Sequence, residues 1–173
     1  MPHIAFLRAI NVGGRQVAMA PLRELFTSLG FTDVSTYIAS GNVCFTGRGR
    51  GAALESKIEA ALEEAFGFVI ETFVRSEAEL QAVLDAVPFT EADVRDAHAL
   101  MIAFLKQPVP ADVAQAVMAL STPVQRFQVI GRELYWLRAT RESEPKVERA
   151  VDKLLKPMTG RNVRTVAALA GAG

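Results

Sequence analysis

The sequence has a single cysteine, Cys44, so no intrachain disulfide can form. Cys44 lies in the apolar run Val43-Cys44-Phe45, where a buried structural thiol is expected rather than a nucleophile. The two histidines, His3 and His98, have no cysteine or histidine partner at metal-ligand spacing, and no metal site is expected. Net charge is missing as well, since 19 Lys+Arg balance 19 Asp+Glu. Duplex nucleic acid is held largely through a cationic footprint, so the balance argues against a dedicated DNA binder. No spanning apolar stretch occurs. There is no basic leader with a small-residue cleavage site, and Met1-Pro2-His3-Ile4 already reads as strand. The expected setting is the cytoplasm, away from membranes. Neither G-x-x-x-x-G-K-[ST] nor G-x-G-x-x-G is present, and no G-x-S-x-G surrounds Ser40. These absences exclude a P-loop, a dinucleotide fingerprint and a nucleophile elbow, and no cofactor is implied.

What is present is ample apolar material. Half of the 173 residues are apolar and 22% are charged, enough for one ordinary domain or two small ones. His3 to Ile10 is a nearly continuous apolar run that suits a strand buried on both faces, with Arg8 as a charge inside it. Leu22, Leu25, Phe26 and Leu29 repeat at helical spacing behind Pro21, and Gly30 stands where a left-handed C-cap is expected. Val34 to Ala39 and Val43 to Thr46 read as strands joined by the tight turn Ser40-Gly41-Asn42. Leu54, Ile58, Leu62, Ala65 and Phe66 mark a second helix stopped at Gly67, and Phe68 to Val74 reads as a fourth strand. Residues 1–75 therefore form a β-α-β-β-α-β unit of the ferredoxin-like split βαβ kind.

Residues 76–97 read as a connecting helix and loop. Ser76 and Glu79 form a capping box, and Thr90 to Ala97 is expected to be loop. Residues 98–173 read as a second α+β subdomain. It has a strand over Ala99 to Leu105, a helix over Pro110 to Leu120, and a hairpin from Arg126 to Leu137 turned at Gly131-Arg132. A helix starts at Ser143-Glu144-Pro145, and a last one runs from Val163 to Ala170. This order is β-α-β-β-α, the first half's order without its last strand. The duplication is read as one of topology, with no residue-level repeat.

In a split βαβ the first two strands run parallel and the third returns beside the first. The loop leaving the first strand and the second hairpin then emerge at one end of the sheet. That places Arg8, Asn11, Gly13, Gly14 and Arg15 beside Ser40, Gly41 and Asn42, a set suited to an oxyanion. The structural alternative is equally specific: Gly41-Asn42 is what a primed hairpin turn demands, and Gly13-Gly14 is what a tight loop exit demands. Arg161 and Asn162 either extend the anion site or, for Asn162, cap the last helix. Glu91, Asp93, Asp96 and His98 read as a solvated acidic loop, and Arg48 and Arg50 as a mobile one.

Three segments resemble an uncharacterised, mainly bacterial family catalogued as domain of unknown function 1697. Leu7-Arg8-Ala9-Ile10-Asn11-Val12-Gly13-Gly14, with Met19 and Leu22-Arg23, is similar to its opening L-R-G-I-N-V-G-G. Tyr37-Ile38-Ala39-Ser40-Gly41-Asn42-Val43-Cys44-Phe45 is similar to its Y-x-x-S-G-N-V-x-F, and Thr159-Gly160-Arg161-Asn162-Val163-Arg164-Thr165 to its T-x-R-N-W-x-T. Ala9 and Val163 depart from the family's Gly and Trp, and Arg141 to Lys146 lacks its Gly-rich loop. The resemblance implies an α+β fold with a ferredoxin-like part and implies no activity. The functional expectation is binding of a phosphate- or carboxylate-bearing small molecule by a monomer or homodimer. The alternatives are an acylphosphatase-like phosphohydrolase and a single-stranded nucleic-acid module.

Overall fold

The computed structural model describes residues 1–10, 12–37 and 41–171. The chain divides into two units, Met1–Gln81 with Ala167–Gly173, and Ala82–Val166. Among the described residues no helix is long and apolar enough to cross a membrane.

In the first unit β1 (Pro2–Leu7), α1 (Met19–Ser28), β2 (Thr32–Thr36), β3 (Asn42–Thr46), α2 (Gly51–Phe66) and β4 (Thr72–Ser76) follow in order. The sheet runs β2-β3-β1-β4 with every neighbouring pair antiparallel, which is the ferredoxin-like order. β1 lies in the middle, and its residues His3 to Leu7 are all buried, as a two-faced apolar strand must be. One face of the sheet sends Ala5, Leu7, Val43, Phe45 and Val74 against Leu22 and Phe26 of α1 and Leu54, Ile58 and Leu62 of α2. Burying each of the larger side chains is worth about 1.5–3 kcal/mol. α2 ends at Gly67, whose φ of 82° is left-handed and whose N–H returns to Glu63 O.

Edge strand β4 is sealed by carboxylates of α2. Glu55 Oε2 accepts the Val74 N–H at 2.8 Å, and Glu59 Oε2 accepts the Thr72 N–H at 3.1 Å. The spacing explains the match. Two residues of strand and one turn of helix each advance about 6 Å. Outward N–H groups that would recruit another strand are thereby occupied.

The fourth strand is shorter than the apolar run from Phe68 implies. β1 ends at Leu7, paired with Thr72, so the residues before Thr72 have no strand beside them to extend the ladder. β2 begins at Thr32 rather than Val34 and carries a bulge between Thr32 and Ser35, where Asp33 takes a φ of 52°. Residues 38–40, expected to end this strand and start the turn, lie outside the described residues.

α3 (Glu77–Asp85) carries the chain into the second unit, and its capping box is formed in both directions between Ser76 and Glu79. Thr90 to Ala97 is not loop. It holds α4 (Glu91–Asp96), whose Asp93 N–H is capped by Thr90 Oγ1 at 3.0 Å. β5 (Ala99–Leu105), α5 (Ala111–Met118), β6 (Gln125–Ile130), β7 (Glu133–Arg138) and α6 (Pro145–Leu155) follow. The last strand that the sequence reading leaves out of this half is present: Met158–Asn162 is β8, and α7 (Val163–Ala170) comes after it. The second sheet runs β6-β7-β5-β8, so this unit completes the same β-α-β-β-α-β order. Polar as it is, β8 alternates, with Thr159 and Arg161 buried and Gly160 exposed.

Matching the units by register corrects a second expectation, because the duplication does reach individual residues. Leu7 pairs with Thr72 as Leu105 pairs with Met158. This aligns Ile4-Ala5-Phe6-Leu7 with Ile102-Ala103-Phe104-Leu105, an identical tetrapeptide, followed by Arg8 in one unit and Lys106 in the other. The same match sets buried Arg75, opposite Ile4, against buried Arg161, opposite Ile102.

Candidate functional site

The end of the first sheet is held together by backbone. Leu7 N–H donates to Gly41 O at 2.8 Å, and Arg8 N–H donates to Glu71 O at 2.9 Å. The exit of β1, the β2–β3 hairpin and the entry to β4 thus meet at one place. Arg8 stands just beyond β1 rather than inside it, with its side chain 38% exposed. Its charge is therefore not a buried central-strand charge. Arg8 Nη1 lies 3.9 Å from Glu71 Oε2, a buried carboxylate oxygen that accepts no hydrogen bond.

Gly13 and Gly14 have φ values of 58° and 84°, and Arg15 N–H donates to Val12 O at 3.1 Å across a two-residue turn. Both central residues at positive φ make a primed turn, which glycine adopts without strain. The turn is exposed. It presents Arg15, whose guanidinium sits 5.4 Å from the centre of the Phe68 ring.

Gly41 is needed twice over. Its φ is 85°, and a Cβ would stand 2.9 Å from Ile10 Cδ1 and 3.1 Å from Leu7 Cβ. Asn42 is fully buried, and its Nδ2 donates to Tyr37 O at 2.9 Å while Tyr37 N–H donates to Asn42 O at 3.0 Å. Gly41 and Asn42 therefore act on the hairpin itself. Asn11 and Ser40 lie outside the described residues.

Arg161 and Asn162 belong to β8 of the second unit. Arg161 Nη1 donates to Thr159 Oγ1 at 2.7 Å and to Gly160 O at 2.9 Å, and burial lowers its pKa to about 10. Asn162 Oδ1 accepts the Arg164 N–H at 2.9 Å, so it caps the first turn of α7. Half-buried Cys44 lies opposite Ser35 on β2, and burial pushes its thiol pKa up, away from the thiolate.

Glu71 and Phe68 were not among the residues expected here. The signal for Glu71 lay in the topology: β4 runs antiparallel to β1, so its entry must lie at the exit of β1. The register that pairs Leu7 with Thr72 then sets Glu71 beside Arg8.

Comparison with known proteins gives a family and a fold. No curated protein matches the sequence. The conserved bacterial protein SP0830 from Streptococcus pneumoniae is similar in structure, with a TM-score of 0.76 and 27% sequence identity. The likeness covers 98% of this chain and 96% of that one. The family described as protein of unknown function (DUF1697) matches residues 1–135, which include the Arg8–Gly14 and Gly41–Asn42 segments together. The chain belongs to that family.

Proposed function

We propose that the end of the first sheet binds a small anionic molecule bearing a phosphate or carboxylate. The observation that carries this reading is the pairing of Arg8 with Glu71. The guanidinium stands half-exposed, 3.9 Å from a carboxylate oxygen that is buried and accepts no hydrogen bond. A carboxylate held that way occupies the ground an incoming anion would take, and a better-placed anion gains charge-assisted hydrogen bonds from Arg8. Arg15, offered by the exposed glycine turn, is a second cation within the same short loop.

Inorganic phosphate, pyrophosphate and nucleotides are the probes. At a hundred times Kd an anion adds about 2.7 kcal/mol of stability, read as a rise in melting temperature. The rise should vanish in Arg8→Ala, shrink in Arg15→Ala and grow in Glu71→Gln, which removes the competing charge. Equal responses in wild type and Arg8→Ala would overturn the reading. Acyl-phosphate hydrolysis by analogy of fold is the weaker reading, because Asn42 is fully buried and its Nδ2 donates to Tyr37 O within the hairpin.

A further inference from the structure

The sheet edges of the two units are not treated alike. In the first unit β4 is sealed by Glu55 and Glu59, and β2 is broken by its bulge, with Asp33 at positive φ. In the second unit the start of β6 is closed by hydroxyls. Ser121 Oγ accepts the Phe127 N–H at 3.0 Å, and Thr122 Oγ1 accepts the Gln125 N–H at 3.3 Å. β8 differs at its centre.

The direction of its backbone groups follows from register. Leu105 N–H is directed at Arg132 O, on the β7 side, so the Leu105–Met158 pair exchanges no hydrogen bonds. By alternation the Ala103–Gly160 and Met101–Asn162 pairs exchange none either, and the N–H groups of Gly160 and Asn162 point away from β5. Gly160 is the third residue of its strand, where Val74 stands in the first unit. Val74 is buried and its N–H is capped by Glu55. Gly160 is exposed, and among the described residues nothing accepts its N–H. The acids at the start of α6 are turned elsewhere. Glu144 Oε1 accepts from the Thr122 hydroxyl and the Gln125 amide, and Glu148 Oε2 accepts from the Ser143 hydroxyl and the Glu144 N–H. An exposed, open N–H in the middle of an edge strand is a place for another strand to add.

Charge selects the occupant. After Asp152 the chain carries Lys153, Lys156, Arg161 and Arg164 and no acidic residue. Arg161 is buried and held within the strand, whereas Lys156 and Arg164 are exposed. Each stands two residues beyond an end of β8, no more than about 7 Å along the chain. That is inside the screening length of about 8 Å at physiological ionic strength, so both charges act on whatever lies along the strand. A second copy is the wrong partner. A two-fold strand pair centred on Gly160 would set Lys156 of one copy beside Arg164 of the other at both ends, and like charges placed so repel. An acidic segment meets attraction at both ends.

We propose that β8 docks an extended acidic peptide segment of another protein, which adds to the sheet as a fifth strand paired with Gly160 and is held by the charges of Lys156 and Arg164. The surface lies in the second unit and does not depend on the anion site of the first.

The test is fluorescence anisotropy of a labelled heptapeptide of alternating valine and glutamate, titrated with the full chain. Saturable binding that weakens with added salt is expected, and the lysine counterpart of the peptide should not bind. Gly160→Pro removes the outward N–H at a position where an edge strand accepts proline, and should lower affinity about tenfold, the worth of one hydrogen bond. Gly160→Ala keeps the N–H, and the atoms nearest its new Cβ lie 4.0 Å away, so it should bind as wild type does. Lys156→Glu/Arg164→Glu should reverse the preference to the lysine peptide. Both of these positions are exposed, so this variant decides the matter even if Gly160→Pro does not fold. Arg8→Ala should bind the acidic peptide as wild type does. Absence of saturable binding, equal affinity in folded Gly160→Pro and Gly160→Ala, or an unreversed preference would overturn the proposal. So would loss of binding in Arg8→Ala, which would place the peptide's carboxylates at the first-unit site. A dimer seen in sedimentation and abolished by Gly160→Pro would overturn it as well, by giving the edge to a second copy.

Discussion

His3 is the residue with the least obvious reason to be where it is. It is buried in β1 and stacked on Phe45 with ring centroids 5.2 Å apart, and its ring nitrogens approach the Met1 and Gly49 backbone without making a well-formed hydrogen bond. A buried polar atom left unsatisfied costs about 1–3 kcal/mol. Burial also lowers its pKa below the ordinary 6.5. The folded protein therefore holds the imidazole neutral while the unfolded chain takes up a proton below that value. Stability should fall as pH drops from the unfolded pKa toward the folded one, and below both it should change no further through this group. His3→Phe keeps the ring and the stack while removing both orphan nitrogens. It is expected to match or exceed wild type in urea at pH 7.5, and its margin over wild type should widen at pH 5. A margin that stays constant between those pH values would show that His3 does not set the acid response.

At the scale of elements, the seal on β4 carries the clearest consequence. Glu55 is buried, accepts the Val74 N–H, and lies 4.0 Å from the buried Arg75 guanidinium. Glu55→Ala removes a carboxylate from a buried ion pair, a change that typically costs about 3–5 kcal/mol. Half-buried Glu59 should cost about 1 kcal/mol on the same change, the net worth of one hydrogen bond. Urea midpoints measure both. Light scattering of Glu55→Ala should also rise with protein concentration, since the edge N–H of Val74 becomes available to another chain. The elements also show how sequence legibility divides. The apolar periodicity of α1 and α2 could be read directly, because core packing dictates those residues. β8 could not. Met158-Thr159-Gly160-Arg161-Asn162 has the composition of a loop, and it is a strand because β5 offers it a ladder and because Arg161 finds acceptors inside. α4 was missed for the opposite reason: its Thr90 cap was present, but six residues carry no apolar period.

For the whole molecule, the path of the chain matters more than its length. The first unit is completed by residues that follow the second: the chain leaves it within α3 and returns within α7. Leu169, near the end of that helix, is fully buried. Leu169→Ala should therefore cost about 2–5 kcal/mol, as a core truncation does, even though the residue lies close to the C-terminal end of the sequence. A urea midpoint indistinguishable from wild type would show that the last helix is not part of the fold's stability. The candidate site was legible at this scale in one respect. Strand order alone brings the segment after β1 to the β2–β3 hairpin. It could not reveal that Asn42 is spent on Tyr37, because a side-chain amide serves a turn and a ligand with the same atoms.

The shared Ile-Ala-Phe-Leu of β1 and β5 has a further effect, on the route by which the chain reaches its fold. Each copy is an inner strand of its own four-stranded sheet, and within the four residues nothing distinguishes one from the other. Synthesis separates them in time, since the strands that flank the first copy have left the ribosome before the second copy emerges. A chain diluted from denaturant has no such order, and both copies compete at once for the same neighbours. Residues outside the shared four, such as His3 and Arg8 against Met101 and Lys106, then tell the two strands apart.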